Sequence, residues 1–161
     1  ISIKHHFTRI YASQYYFDHH EAARFPTVVI NDTAKTQYLF RINKGREHSL
    51  ETINEYMPEE ARPIPFQHML YVGDGLTDVP CMTVVKNYGG FAVAVHRPRG
   101  QEAMKVCREL VDANRIDFYA PADYGAGRKL EQRVHKILDL IIARIAFEQE
   151  RHEFLKDMRK A

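Results

Sequence analysis

Apolar residues in the second part of the chain alternate between short runs and helically spaced stripes. Short apolar runs predict three buried strands, at residues 68–72, 91–95 and 117–120. Apolar residues at every third or fourth position predict four helices, at residues 47–57, 78–88, 102–114 and 130–145. Strands that alternate with helices are typical of βαβ units. The pattern therefore predicts an α/β, Rossmann-like fold whose parallel sheet is flanked by helices.

The first 45 residues follow a different pattern, with many aromatic and β-branched residues. The run at 9–12 predicts a short buried strand followed by a loop to residue 25. Two further runs flank the turn-forming residues 31–35, which predicts a small β-hairpin near residues 27–42. At the other end, residues 147–161 predict a charged helical tail that continues beyond its buried face. We expect a single domain over residues 1–161.

The length and charge of the chain narrow the class of protein. A chain of 161 residues is long enough for one domain with a sizeable core. The 23 Lys and Arg against 21 Asp and Glu give a formal net charge of +2, which does not indicate a nucleic acid partner. Asp139 and Arg144 interrupt the longest apolar stretch, which is far shorter than the ~20 residues that span a bilayer. We expect no membrane partner.

The cysteines and the first residues bear on the compartment. Cys81 and Cys107 are isolated from one another and from any His in ligand spacing, which favours reduced, buried thiols and a cytoplasmic protein. The start, Ile-Ser-Ile-Lys-His-His, has neither an initiator Met nor the regions of a signal peptide. We therefore expect the chain to be part of a longer protein.

Two carboxylates directly follow the apolar run at 68–72. Ligand sites in open parallel sheets form at the carboxyl ends of strands, where Asp74 is placed. Asp78 follows four residues later, and the glycines between and before them allow close approach of a ligand. A pair of carboxylates suits Mg²⁺, which takes one or two of them together with water and phosphate oxygens. The alternative is a glycine turn in which Asp78 is only a helix N-cap.

Two other polar residues are predicted at strand ends. Ser13 follows the run at 9–12, where its hydroxyl could donate to a phosphoryl oxygen, although a turn residue is the simpler reading. Lys44 follows the run at 37–42 and precedes Gly45, and its ammonium suits a phosphate or phospho-enzyme group, whereas a single lysine near a turn is usually only solvated. A hydroxyl, a cation and two carboxylates together suit phosphoryl transfer, which depends on positioning and charge neutralisation.

Three segments of the chain resemble motifs of the haloacid dehalogenase-like hydrolases, in particular the phosphoserine-phosphatase-like branch. They are Ala-Ser at 12–13, Phe-Arg-Ile-Asn-Lys-Gly at 40–45 and Leu-Tyr-Val-Gly-Asp-Gly-Leu-Thr-Asp-Val-Pro at 70–80. The resemblance covers the chain from about residue 9 to residue 143. It implies a Mg²⁺-dependent phosphatase that hydrolyses a small phosphorylated metabolite, a phosphomonoester, through an aspartyl-phosphate intermediate.

The same resemblance implies a role for each motif residue. Ser13, Lys44 and Gly45 are expected to bind the phosphoryl group, with Lys44 offsetting its charge. Asp74 is expected to bind Mg²⁺ and Asp78 to support the metal site. The expected catalytic residues are therefore Ser13, Lys44, Asp74 and Asp78.

The family's nucleophile belongs to an Asp-x-Asp motif, which these 161 residues do not contain. We therefore expect the nucleophile and the first strand upstream of Ser13, an incomplete sheet, and no turnover by this chain alone. One alternative is a non-catalytic binding or regulatory module with the same fold. A third reading is a receiver-type domain in which Asp74 accepts a phosphoryl group.

Overall fold

The regular elements are given by a computed structural model, which describes residues 4–46, 48, 51–98 and 100–160. In chain order they are β1 (Gln14–Phe17), β2 (Ala23–Val28), α1 (Asp32–Lys44), β3 (Leu70–Gly73), α2 (Val79–Asn87), β4 (Phe91–His96), α3 (Gln101–Asp112), β5 (Phe118–Pro121) and α4 (Lys129–Met158). Short 3-10 turns at Phe66–His68 and Leu76–Asp78 precede β3 and α2.

The main sheet is parallel, with the strand order β3-β4-β5. Leu70 pairs with Phe91 between the first two strands, and Val93 pairs with Phe118 between the last two. The carboxyl ends of all three strands therefore meet at one edge of the sheet, where ligand sites of such sheets form. The predicted α/β class, with a helix-flanked parallel sheet and strands near 68–72, 91–95 and 117–120, is confirmed.

Helices cover both faces of this sheet. Successive residues of β4 point to opposite sides, so each face contributes to an apolar cluster of its own. One face packs against α4 in a cluster formed by Val93, Val95, Ala120, Leu130, Ile137 and Ile141. The other face packs against α2 and α3 in a cluster formed by Met82, Ala92, Ala94, Cys107 and Ile116. Coverage of both faces explains why the strands consist of continuous apolar runs.

The predicted hairpin near residues 27–42 is wrong in its position. The antiparallel hairpin is formed by β1 and β2, and no strand occupies residues 9–12. Residues 32–44 form α1 instead, because the side chain of Asn31 accepts a hydrogen bond from the amide of Ala34 (2.9 Å) and so caps the helix. Gly45, with a φ of 63°, ends it in the left-handed conformation that favours glycine.

The helix predicted at residues 47–57 is also wrong where the chain is described, since residues 51–57 form neither helix nor strand. Positions 47, 49 and 50 of that prediction lie outside the described residues. Arg41 of α1 donates from Nη1 to the carbonyl oxygens of His48 (2.7 Å) and Glu51 (3.2 Å). The segment is held by these bonds from α1 and by a turn in which the amide of Glu51 donates to the carbonyl oxygen of His48 (3.1 Å), and its apolar spacing does not produce a helix.

The last helix extends well beyond the sheet. Its buried residues are Leu130, Ile137 and Ile141, and residues 146–160 are all exposed although the helix continues to Met158. The charged segment predicted at 147–161 is thus helical as far as Met158. No helix in the described part of the chain has the length and apolar character needed to cross a membrane.

The outer edge of β3 faces an apolar groove instead of another strand. Among the described residues β3 pairs only with β4, and Val72 in its middle is 40% exposed. The groove, with a volume of about 450 Å³, lies between this edge, α1 and the segment that precedes β1; its lining includes Phe7, Ile10, Tyr38, Leu39 and Tyr71. An unpaired strand edge can accept another strand.

We predict that Gly90→Ala lowers the free energy of unfolding by about 1–3 kcal/mol, the usual cost of overpacking. A Cβ at Gly90 would lie 2.3 Å from the carbonyl oxygen of Phe66 and 2.7 Å from Cγ1 of Val85. Gly75→Ala is the matched control, since a Cβ there comes no closer than 3.9 Å to the side-chain oxygen of Thr77. Urea unfolding measures both, and equal stability of the two variants would contradict the prediction.

Candidate functional site

The loop after β3 is held by the carboxylate of Asp78. Asp74 directly follows the strand, and a 3-10 turn at Leu76–Asp78 leads into α2. The backbone amide of Asp74 donates to Oδ2 of Asp78 (3.0 Å), which closes the loop on itself. Asp78 is at the N-cap position of α2 but makes no side-chain capping bond. Its carboxylate therefore organises the loop rather than capping the helix.

Two further side chains bind the same carboxylate. Nζ of Lys35, in the first turn of α1, lies 2.9 Å from Oδ1 of Asp78, and the hydroxyl of Tyr71 in β3 donates to the same oxygen at 2.7 Å. Asp78 is 5% exposed. A carboxylate so buried requires these partners, because burial of an unpaired charge is costly.

The pKa values in this cluster follow from burial and hydrogen bonding. Burial pushes the pKa of Asp78 upward, but the hydrogen bonds from Lys35, Tyr71 and the Asp74 amide outweigh it, so its pKa lies below the ordinary value. The hydrogen bond to Asp78 raises the pKa of Lys35. Burial, with the hydrogen bond to Asp78, raises the pKa of Tyr71. At neutral pH the cluster is an ammonium, a carboxylate and a neutral phenol.

Gly73 leaves the space that Asp78 occupies. A Cβ at position 73 would lie 2.6 Å from Cβ and 2.8 Å from Oδ2 of Asp78. These distances are shorter than any that real Cβ atoms show, so a side chain at position 73 would displace the carboxylate. The last residue of β3 is glycine because the cluster fills the place of its side chain.

Asp74 differs from Asp78 in that its carboxylate is exposed and has no hydrogen-bond or ion-pair partner among the described residues. Within the part of the chain that the structure describes, no three His, Cys, Asp or Glu side chains are grouped as a metal site. A single free carboxylate still fits Mg²⁺, which keeps several waters and uses one or two protein carboxylates. The carboxylate of Asp74 is thus free to coordinate such an ion, whereas the carboxylate of Asp78 is ion-paired with Lys35.

The sequence predicted that Lys44 and Gly45 follow a strand, and this prediction is wrong. Lys44 is the last residue of α1 and Gly45 its C-cap. Nζ of Lys44 donates to the carbonyl oxygens of Ile53 and Glu55, both at 2.6 Å. At 1.5 Å per residue, Lys44 lies about 13 Å along the helix from Lys35, which is the lysine that contacts Asp78.

Ser13 precedes β1 rather than ending a strand at 9–12. Its Oγ accepts a hydrogen bond from the amide of Ile30 (3.0 Å), which joins the two ends of the hairpin. No hydrogen bond or ion pair between described residues connects Ser13 or Lys44 with Asp74 or Asp78. A phosphate-binding role for Ser13 stays a prediction.

Sequence reasoning missed Lys35 and Tyr71. The signal that could have found Lys35 is the Asn-Asp-Thr sequence at 31–33, which is a helix start as well as turn material. A helix that starts at Asp32 places Lys35 in its first turn. Tyr71 lies inside an apolar run, and nothing in the sequence distinguishes its hydroxyl from that of another core tyrosine.

Part of the chain is similar to a curated bacterial protein. The chain is 36% identical over 104 residues to a protein of Borreliella burgdorferi that is described only as uncharacterized. The match covers 63% of the chain and 34% of that protein, so the chain spans about a third of the relative's length. No family model matches the chain, and no solved structure matches it.

We predict that Lys35→Met lowers the free energy of unfolding at pH 7 by about 1–3 kcal/mol, the range for a hydrogen bond to a charged group. A depressed pKa of Asp78 adds stability above the unfolded-state value of about 3.9, and that stability is lost as the pH falls through the folded-state pKa. Without Lys35 the pKa of Asp78 rises. The gain in unfolding free energy between about pH 3 and pH 6 should therefore shrink.

The control for this pH profile is Lys44→Met, which removes a lysine of the same helix that binds carbonyl oxygens instead of Asp78. Its unfolding free energy should keep the wild-type pH dependence, whatever its absolute value. Urea unfolding at a series of pH values measures all three proteins. A profile of Lys35→Met parallel to that of the wild type would contradict the assigned ion pair.

Proposed function

We propose that the protein is a Mg²⁺-dependent phosphatase of the haloacid dehalogenase type, with a HAD-like Rossmann core, acting on a small phosphomonoester in the cytoplasm. The observation that carries the proposal is the free carboxylate of Asp74 beside the Asp78–Lys35 pair at the carboxyl end of β3. The free, buried thiols of Cys81 and Cys107 fit a reducing compartment.

The charges of the site suit a divalent cation followed by a phosphate. Nζ of Lys35 also lies 3.4 Å from Oδ1 of Asp32, so the carboxylates of Asp32, Asp74 and Asp78 with the ammonium of Lys35 leave a net charge of −2. Mg²⁺ held by Asp74 would supply charge neutralisation for the phosphoryl oxygens. Lys35 takes the cationic role that the resemblance had given to Lys44, because it is the lysine bound within the site. The Asp74 amide, fixed by Asp78, keeps the loop in place.

The nucleophilic Asp belongs, in this proposal, to a part of the protein outside residues 1–161. The 161 residues contain no Asp-x-Asp sequence. The aligned region makes up only 34% of the Borreliella relative, which leaves ample chain for a further strand. That strand would carry the Asp whose carboxylate attacks phosphorus, which breaks the P–O bond to the alcohol and forms the aspartyl-phosphate. Water would then hydrolyse this intermediate to the free carboxylate and inorganic phosphate. The open edge of β3 next to Asp74 offers it a place.

A non-catalytic binding module is the second candidate, favoured by the absence of an Asp-x-Asp sequence from these residues. Such a module would retain the Asp74 site and bind Mg²⁺ or a phosphate without turnover.

A receiver-type domain, with Asp74 as phosphoryl acceptor, can be distinguished from the phosphatase and the binding module by exposing the full-length protein to acetyl phosphate. A stable phosphoryl group on Asp74 would favour it over both others.

We predict weak Mg²⁺ binding by the 161-residue chain, because Asp74 is the only carboxylate of the site without an ion-pair partner among the described residues and water fills the rest of the shell. Asp74→Asn should abolish the binding, while Asp123→Asn, which alters a carboxylate after β5, should leave it intact. Isothermal titration calorimetry with MgCl₂ provides the measurement. Binding that persists in Asp74→Asn would rule out Asp74 as the ligand.

We predict that the full-length protein hydrolyses p-nitrophenyl phosphate and that Lys35→Ala lowers kcat by about 10²–10³, the range for loss of one preorganised charge-stabilising group. Lys44→Ala should keep most of the activity, since its ammonium binds the carbonyls of Ile53 and Glu55. Circular dichroism confirms that each variant is folded. The reverse order of effects would return the cationic role to Lys44.

A further inference from the structure

His96 is a buried side chain with one uncommitted nitrogen. The buried polar residues of the described chain are Asn43, Asp78 and His96, of which His96 is 7% exposed. The amide of Asn43 donates to the carbonyl oxygen of Ile64 (2.8 Å), and Asp78 accepts three hydrogen bonds. For His96 only Nδ1 has a partner among the described residues, the carbonyl oxygen of Arg97 at 3.0 Å.

This single hydrogen bond settles the tautomer of the neutral ring. A carbonyl oxygen only accepts, so Nδ1 of His96 carries the hydrogen and donates it to Arg97. Nε2 is then left with a lone pair that no described residue uses. Every fully buried side-chain nitrogen or oxygen of the described residues has a partner, so Nε2 is reached by solvent. It is an oriented acceptor at the carboxyl end of β4 without a donor.

A small cavity joins His96 to the Asp74 site. It has a volume of about 160 Å³, lies between the sheet and the helices α2 and α3, and is lined by residues that include Asp74, Met82, Ala94, His96, Cys107 and Leu110. Burial raises the pKa of the Cys107 thiol, so this group stays uncharged. The other lining residues are apolar or glycine. The cavity is therefore mainly apolar, and Asp74 and His96 are the charged and polar residues other than Cys107 that line it.

We propose that this cavity binds the alcohol portion of the substrate and that Nε2 of His96 accepts a hydrogen bond from a hydroxyl or ammonium group on it. The assignment rests on the proposed function, which places the phosphoryl group at Asp74, a residue that also lines the cavity. The volume admits a few heavy atoms, since a water molecule occupies about 30 Å³ of liquid. His96 is thus a specificity-determining residue for a short, donor-bearing phosphomonoester.

The same groups disfavour acidic substrates. A carboxylate at His96 would meet the lone pair of Nε2, which does not donate a hydrogen bond. A phosphomonoester with a neutral polyol or an amino alcohol offers the donor that Nε2 lacks. Small polyol phosphates and amino alcohol phosphates are therefore the substrate class that the cavity selects.

The first test compares two substrates on the full-length protein. Glycerol 1-phosphate carries hydroxyl donors, and n-propyl phosphate has the same carbon chain without them. We expect kcat/KM to favour glycerol 1-phosphate about tenfold, the factor that corresponds to one hydrogen bond. In His96→Phe, which keeps a planar ring without an acceptor, the ratio should fall to about one.

Two variants control this comparison. His96→Gln restores a side-chain acceptor and should recover much of the preference. His135→Phe makes the same substitution at an exposed position of α4 and should keep the wild-type ratio. A ratio that His96→Phe leaves unchanged, while both substrates are still hydrolysed, overturns the subsite and leaves the proposed function standing.

The second test reads binding without turnover. Long-range ¹H–¹⁵N spectra of the full-length protein, labelled at histidine, report the Nε2 shift of His96 during titration with glycerol 1-phosphate in the presence of Mg²⁺. An upfield shift that n-propyl phosphate does not cause supports the hydrogen bond even if no phosphomonoester is hydrolysed, in which case only the proposed reaction fails. No difference between the two compounds overturns the subsite.

Discussion

The Asp78 carboxylate joins three separate segments of the chain, and the geometry of the site depends on it. It accepts from Lys35 of α1, from Tyr71 of β3 and from the amide of Asp74 in the loop that follows. A buried carboxylate is stable only when its lone pairs are satisfied. The three donors must therefore converge, which fixes α1 against the sheet and the loop against α2. Apolar packing of α1 on Phe66, Met69 and Val85 supports the same arrangement without specifying it so closely.

Because of these hydrogen bonds, the carboxylates of Asp74 and Asp78 differ in their environment. Asp78 is neutralised inside the protein, so its charge is not available to a ligand. Asp74 is positioned through its backbone amide, which leaves its side chain exposed and without a partner among the described residues. The hydrogen bond to Asp78 thus fixes the backbone of Asp74 and leaves its carboxylate free for the cation that we propose. Hydrogen bonds from neighbouring residues commonly orient the ligands of a metal ion.

The sequence predicted the sheet well because its strands and helices differ in period. Strands β3, β4 and β5 are covered on both faces and consist of continuous apolar runs, and α3 and α4 show clear helical stripes. The N-terminal third was harder, because α1 contains Thr, Tyr, Phe and Ile, which also favour strands. Its cap at Asn31 decided the outcome. Lys35 acquires its place only through a tertiary contact with Asp78, and His96 through a cavity that the loop after β3, α2 and α3 complete, which no local pattern encodes.

Position 73 must be glycine as long as position 78 holds its aspartate, five residues further along the chain. Because a Cβ at residue 73 would lie within 3 Å of the Asp78 side chain, either residue limits what the other can be. Within related sequences these positions should change together: Asp at 78 should always accompany Gly at 73, and a larger residue at 73 should occur only where position 78 is small. A relative that has lost both would retain a strand and a loop here but would have no means of anchoring α1 through a buried charge. Joint variation at these two positions therefore distinguishes relatives that keep the site from those that keep only the fold.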